Sequence, residues 1–281
     1  MRNKYEQHLR WVLALLVAGF LAACDDDHGA GVVGPAPLPG GGVTTLGLAT
    51  TFGSIGGSGG VTNQGLNTII NGDLGTTGAP TLITGFHDSQ NVYTETPLNV
   101  GAVTGSIYTG LPAPGTIESA QIAAQALVDA TAAYNYLRGL PPTVPAAAAD
   151  QSGATLPPGV YKFASTAAIL SADLTLDGGG DPNAYWVFQV PSALTVGQAA
   201  APRSVILTNG AQAKNVWWVC GSAATINAAG GGAMVGTIIT NTGAITFSTA
   251  GNAALTLLAG RALSLTAGVT MVNTVVTVPV P

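Results

Sequence analysis

Five short stretches between Ser171 and Asn273 alternate apolar, threonine, apolar: Leu174-Thr175-Leu176, Leu194-Thr195-Val196, Ala224-Thr225-Ile226, Ile245-Thr246-Phe247 and Val269-Thr270-Met271. A period of two marks a strand with one face buried and the threonine on the other. The threonines are 20, 30, 21 and 24 residues apart, separations that suit the coils of a solenoid whose turns vary in length. Stacked as rungs, these strands are expected to raise Thr175, Thr195, Thr225, Thr246 and Thr270 into one ladder. Its steps would be about 4.7–4.9 Å, as between neighbours in any sheet.

Other stretches fit the same plan, and one departs from it. Short strand-like pieces broken by glycine run from Leu46 to Gly75, among them Val61-Thr62-Asn63. The aromatic strands Tyr185–Val190 and Asn215–Val219 read as core layers rather than a ligand pocket. The alternation from Thr274 to Val278 predicts a last strand. Between them, residues 117 to 138 predict a long helix. Thr116 is a good N-cap, Glu118 lies in the first turn and Arg138 in the last, where the helix dipole favours each charge. Gly139 and Pro141-Pro142 are expected to end it. Ala120, Ala123, Leu127, Ala130, Tyr134 and Leu137 fall on one face, a stripe small enough to lie close against a sheet.

Composition supports this reading. Only 7% of the 281 residues are charged while 47% are hydrophobic, against about 25% charged in an ordinary globular chain. The 39 glycines show no three-residue period, so they suit tight corners between strands rather than a collagen helix. Residues 1–23 read as a signal peptide: Arg2, Lys4 and Arg10 precede an apolar run from Trp11 to Ala23, too short to span a bilayer comfortably. The run ends in Leu21-Ala22-Ala23-Cys24, which resembles the lipobox of bacterial lipoproteins and implies a lipid on Cys24. Residues 24–43 read as a flexible linker, and the folded domain is expected over residues 44–281. The expected location is the cell envelope, on the outer or inner membrane leaflet facing outside the cytoplasm, or secretion.

Without residues 1–23 the chain keeps five Lys and Arg against twelve Asp and Glu. Nucleic acid is thereby disfavoured as a partner, because phosphate binding needs clustered cations. Cys220 follows Val216-Trp217-Trp218-Val219 and reads as a small buried hydrophobe.

Several segments together resemble the microbial ice-binding protein family. They include Leu46–Phe52, Asn71-Gly72-Asp73-Leu74-Gly75, Ala133-Tyr134-Asn135, Leu156-Pro157-Pro158-Gly159-Val160-Tyr161, Gly180–Ala184, Asn215-Val216-Trp217-Trp218 and Gly260-Arg261-Ala262-Leu263. Their order around a central helix covers nearly all of residues 44–273. The resemblance implies a mainly β fold: a right-handed parallel β-helix, that is, a discontinuous β-solenoid of triangular cross-section, with one long α-helix packed alongside. It also implies adsorption to ice crystals and inhibition of their growth or recrystallisation. Lys214 departs from the pattern, standing where many relatives carry cysteine. On this reading the five ladder threonines are the candidate ice-binding residues. The expected partners are an ice surface and, through Cys24, a membrane; no cofactor is expected, and a monomer is.

Two other functions compete. A polysaccharide-cleaving β-solenoid needs paired carboxylates, or carboxylates with calcium and a base. Here the acidic residues sit mostly in glycine-rich turns, with Asp177 and Asp181 read as turn caps ahead of calcium ligands, and no nucleophile triad or phosphate loop is present. A surface adhesin or structural solenoid without ice activity would use the same fold and anchor, and partition into growing ice separates the two.

Overall fold

The computed structural model describes residues 45–198 and 201–280. The leader, Cys24 and the linker to residue 43 lie outside the described residues.

Apolar alternation folds the chain into coils whose strands form three sheets around a common core. A seven-stranded parallel sheet is built from six three-residue strands and the two-residue Ile83–Thr84; the three-residue strands bury both end residues and turn the middle one outward, as the sequence predicts. A three-stranded sheet pairs Thr155–Leu156, Leu174–Asp177 and Val205–Thr208. The remaining fourteen strands form one sheet that covers two sides of the solenoid. Two long strands, Ala233–Thr240 and Thr256–Ser264, join those sides. The first part of Thr256–Ser264 pairs with Thr274–Thr277 and its last part with Ser54–Gly56. At the corner Gly236 has φ +95°, and a Cβ on Gly260 would lie 1.8 Å from the Gly236 carbonyl oxygen. Only glycine allows rungs to stack so closely there.

The solenoid is discontinuous. Val61–Asn63 pairs with Val269–Met271, and Thr68–Asn71 with the last strand, Thr274–Thr277. The N-terminal coils therefore sit on the C-terminal one. The chain then passes through helix α1, Ile117–Gly139, before Gly159–Phe163 and the coils that follow.

Strands Trp186–Val190 and Val216–Cys220 are buried on both faces, which explains their unbroken apolar sequence. Inward, Trp218 stacks on Phe188 at 4.0 Å between ring centroids, and Tyr161 stacks on Phe188 at 5.4 Å. Cys220 is fully buried, and burial pushes its thiol up to about 12. Outward, Val187, Trp217, Val219, Ile239 and Leu263 are covered by Ala126, Ala130, Ala133, Tyr134 and Leu137 of α1. The buried stripe holds Ala126 and Ala133, whereas Ala120 and Leu127 are half-buried, a rotation of less than half a residue from the face expected.

Both ends of α1 are pinned. The Thr116 hydroxyl accepts from the Ser119 amide at 3.0 Å, and Ser119 Oγ donates to the Thr109 carbonyl at 3.0 Å. At the other end Gln189 Nε2 donates to the carbonyls of Leu137 at 2.8 Å and Leu140 at 2.9 Å. Gly139 is the last helical residue rather than the one beyond it. Arg261, almost fully buried, donates from Nη2 to the Thr50 carbonyl at 2.7 Å and from Nη1 to Thr237 Oγ1 at 3.4 Å. Burial lowers its guanidinium to about 10.

Candidate functional site

The seven-stranded sheet carries one continuous outward row. In register along it stand Ala168, Thr195, Thr225, Thr246, Thr270, Thr62 and Thr84. Four of the five threonines singled out from sequence thus share a face. Thr175 does not. It pairs with Thr155 and Ile206 in the three-stranded sheet, on another side of the solenoid. The reason is physical: strands on every side alternate buried and outward positions, so apolar-Thr-apolar marks an outward threonine without saying on which side.

Sequence reasoning missed Thr62 and Thr84. Val61-Thr62-Asn63 was readable as a strand, but its rung neighbour Thr270 is 208 residues away. Only the discontinuity of the solenoid brings them together.

The row is flanked by small uncharged residues. Backbone amides of the strands donate to the carbonyls of Ala193, Ala223, Ala244, Gly268 and Gly60 on adjacent rungs, which keeps these positions in the sheet two residues before each threonine. Segments 164–172, 192–198, 222–229, 242–250, 266–273, 57–64 and 81–86 contain no Asp, Glu, Lys, Arg or His.

Hydroxyls at the rim and along the row are used differently. At the rim, Thr242 Oγ1 donates to the Gly221 carbonyl at 3.0 Å, Thr266 Oγ1 to Asn241 at 2.7 Å, and Ser58 Oγ to Thr266 at 3.0 Å. Each such bond ties one rung to another. Along the row, the hydroxyls of Thr62, Thr84, Thr195, Thr225, Thr246 and Thr270 hold no hydrogen bond among the described residues. They remain open to water as donors and acceptors.

Asparagines at the far edge hold the strand ends. Asn227, at φ 48°, accepts from the Arg203 amide at 2.8 Å and donates to the Gly231 carbonyl at 2.8 Å. Asn273, at φ 46°, accepts from the amides of Leu66 at 3.1 Å and Asn67 at 3.0 Å. Their short polar side chains suit the left-handed backbone and satisfy the turn. The result is a stiff, regular, uncharged surface whose open groups repeat at the strand spacing. No His, Cys, Asp, Glu or Lys lies in the segments that form it.

Elsewhere the polar residues serve the fold. Asp177 Oδ1 accepts from the Gly179 amide at 2.9 Å and Asn209 Nδ2 at 2.8 Å, bonds that hold its carboxyl below the ordinary range. It caps its turn. Among the described residues, no three His, Cys, Asp or Glu stand together to hold a metal. An apolar groove of about 640 Å³, lined by Leu66, Ile69, His87, Val100, Leu255 and Val275, lies outside the threonine sheet.

Comparison with known proteins agrees with this architecture. A family model described as Ice-binding-like matches residues 55–277. An ice-binding protein of Nostoc sp. is 40% identical over 233 residues, covering 82% of this chain and 72% of its own. The crystal structure of an ice-binding protein from the Antarctic ascomycete Antarctomyces psychrotrophicus superposes with a TM-score of 0.67 at 32% identity, covering 85% of this chain and all of that one. A domain of Shewanella frigidimarina ice-binding protein 1 superposes at 0.69 and 26% identity, over 83% of this chain and 96% of that one.

Proposed function

The chain belongs to the ice-binding-like family, and from that premise we propose that it adsorbs to ice through the face carrying Thr195, Thr225, Thr246, Thr270, Thr62 and Thr84, and so restrains ice growth or recrystallisation. The observation that carries the reading is the in-register row of threonines with free hydroxyls. Each rung presents a hydroxyl that can bond an ordered water and a methyl that excludes a disordered one. The threonine χ1 is stiff and the backbone is locked by its neighbours, so little conformational freedom remains to be lost on adsorption. The absence of charge on the face matters equally, because charged groups hold strongly oriented liquid hydration that does not match a lattice.

No step of this function is catalytic. The test is partition of the protein into a slowly advancing ice front, with ice-recrystallisation inhibition measured in parallel. Enrichment in the ice fraction is expected, and exclusion of the folded protein into the liquid would point to the adhesin reading instead.

We also propose that Cys24 carries a lipid that tethers the domain outside the cytoplasm. The apolar run ending in Leu21-Ala22-Ala23-Cys24 supports this. Cys24→Ala is expected to release the protein from membranes or block its maturation, and unchanged membrane partitioning and mass would reject it.

A further inference from the structure

The threonine row does not run to the end of its sheet. The rung beyond Thr195 places Ala168 in register with it, and Asp150 forms an isolated parallel bridge with Ala168. Both backbone bonds of that bridge are made: the Ala168 amide donates to the Ala149 carbonyl and the Gln151 amide to the Ala168 carbonyl, each at 2.8 Å. The outward row therefore reads Thr225, Thr195, Ala168, Asp150 in successive rungs. Ala168 is half-exposed between the buried Ala167 and Ile169, so its methyl occupies the threonine position without a hydroxyl.

Asp150 is exposed, and its Oδ1 accepts from the Ser152 amide at 3.0 Å and the Ser152 hydroxyl at 2.6 Å. Those bonds hold its carboxyl below the ordinary range, so it is ionised at neutral pH. Ser152 Oγ also accepts from the amides of Leu170 at 2.7 Å and Ser171 at 2.9 Å. The carboxylate is thus fixed at the end of the row. Rungs are about 4.8 Å apart, so its hydration shell overlaps the Ala168 rung.

We propose that Ala168 and Asp150 form a built-in end stop that limits the ice-contact face to the six threonine rungs from Thr195 to Thr84. This rests on the function proposed above and specifies the residues that set the length of its site. A neutral, hydroxyl-bearing end would lengthen the face by one or two rungs and strengthen adsorption. Threonine is compatible with Ala168's backbone because it is a strand position with an outward side chain. Asparagine at 150 keeps an oxygen to accept the Ser152 bonds while removing the charge.

The experiment compares the full chain with Ala168→Thr, Asp150→Asn, the double variant and Thr225→Tyr, measuring thermal melting and the concentration that half-inhibits ice recrystallisation. The double variant is expected to lower that concentration by about twofold to tenfold, the effect of one added hydrogen-bonding group. Ala168→Thr alone should give less, because the neighbouring carboxylate still holds its water. A folded double variant with unchanged potency overturns the end stop, provided Thr225→Tyr abolishes activity. If Thr225→Tyr retains full activity, the underlying reading of the face fails instead.

Discussion

The solenoid shows two outward surfaces made by the same coils. Under α1 the outward side chains are Val187, Trp217, Val219, Ile239 and Leu263, all buried. On the seven-stranded sheet they are Ala168 and six threonines, over which none of the described residues forms a covering helix. Inward packing is similar in the two regions: strands contribute Trp218 and Ile238 in one, and Leu194, Ile245 and Phe247 in the other, to a shared core. The difference lies wholly in the outward row. A large apolar row is stable only when another element takes it from water, whereas threonine tolerates exposure and leaves a face available to a partner.

That contrast can be broken from the covered side first. Ile239 is fully buried beneath α1. Ile239→Ala is expected to cost about 2–5 kcal/mol, the transfer and cavity terms together, with a matching drop in urea midpoint. A loss below about 0.5 kcal/mol would mean that the helix contributes little to the solenoid. Gln189→Ala strips the donor from the last α1 carbonyls and should cost about 1–3 kcal/mol, because those groups lose their partner where water reaches poorly. Hydrogen exchange should then rise first in the final turn of α1. Uniform protection of that turn in the variant would contradict the pinning role.

Much of this contrast was legible in the chain. The unbroken apolar runs at Trp186–Val190 and Val216–Cys220 announce strands covered on both faces, and the alanines of α1 announce the element that covers them. The helix limits were readable to one residue at its C-terminal end, because Thr116, Arg138 and Pro141 mark them chemically. The threonine row was only partly legible. Thr195, Thr225, Thr246 and Thr270 follow one another in successive coils, so local spacing finds them. Thr175 was misplaced because outward threonines on two sides carry the same local pattern. Thr62 escaped because its rung neighbour Thr270 comes from the far end of the chain, and Thr84 because it joins the row only through Thr62. Side and stacking order are long-range properties, and alternation is a local one.

The bare side yields the smallest stability effects and the most decisive functional ones. Thr246 and Thr175 are both half-exposed central residues of short strands, so tyrosine at either should change stability by no more than about 0.5 kcal/mol. Only Thr246 lies in the in-register row, between Thr225 and Thr270. The most direct measurement is ice-growth inhibition by Thr246→Tyr and Thr175→Tyr at equal concentration, with thermal melting of both. Two folded proteins are expected, of which Thr246→Tyr has lost inhibition and Thr175→Tyr keeps that of the parent chain. Full inhibition by folded Thr246→Tyr, or loss confined to Thr175→Tyr, would contradict this expectation and move the contact to another side of the solenoid.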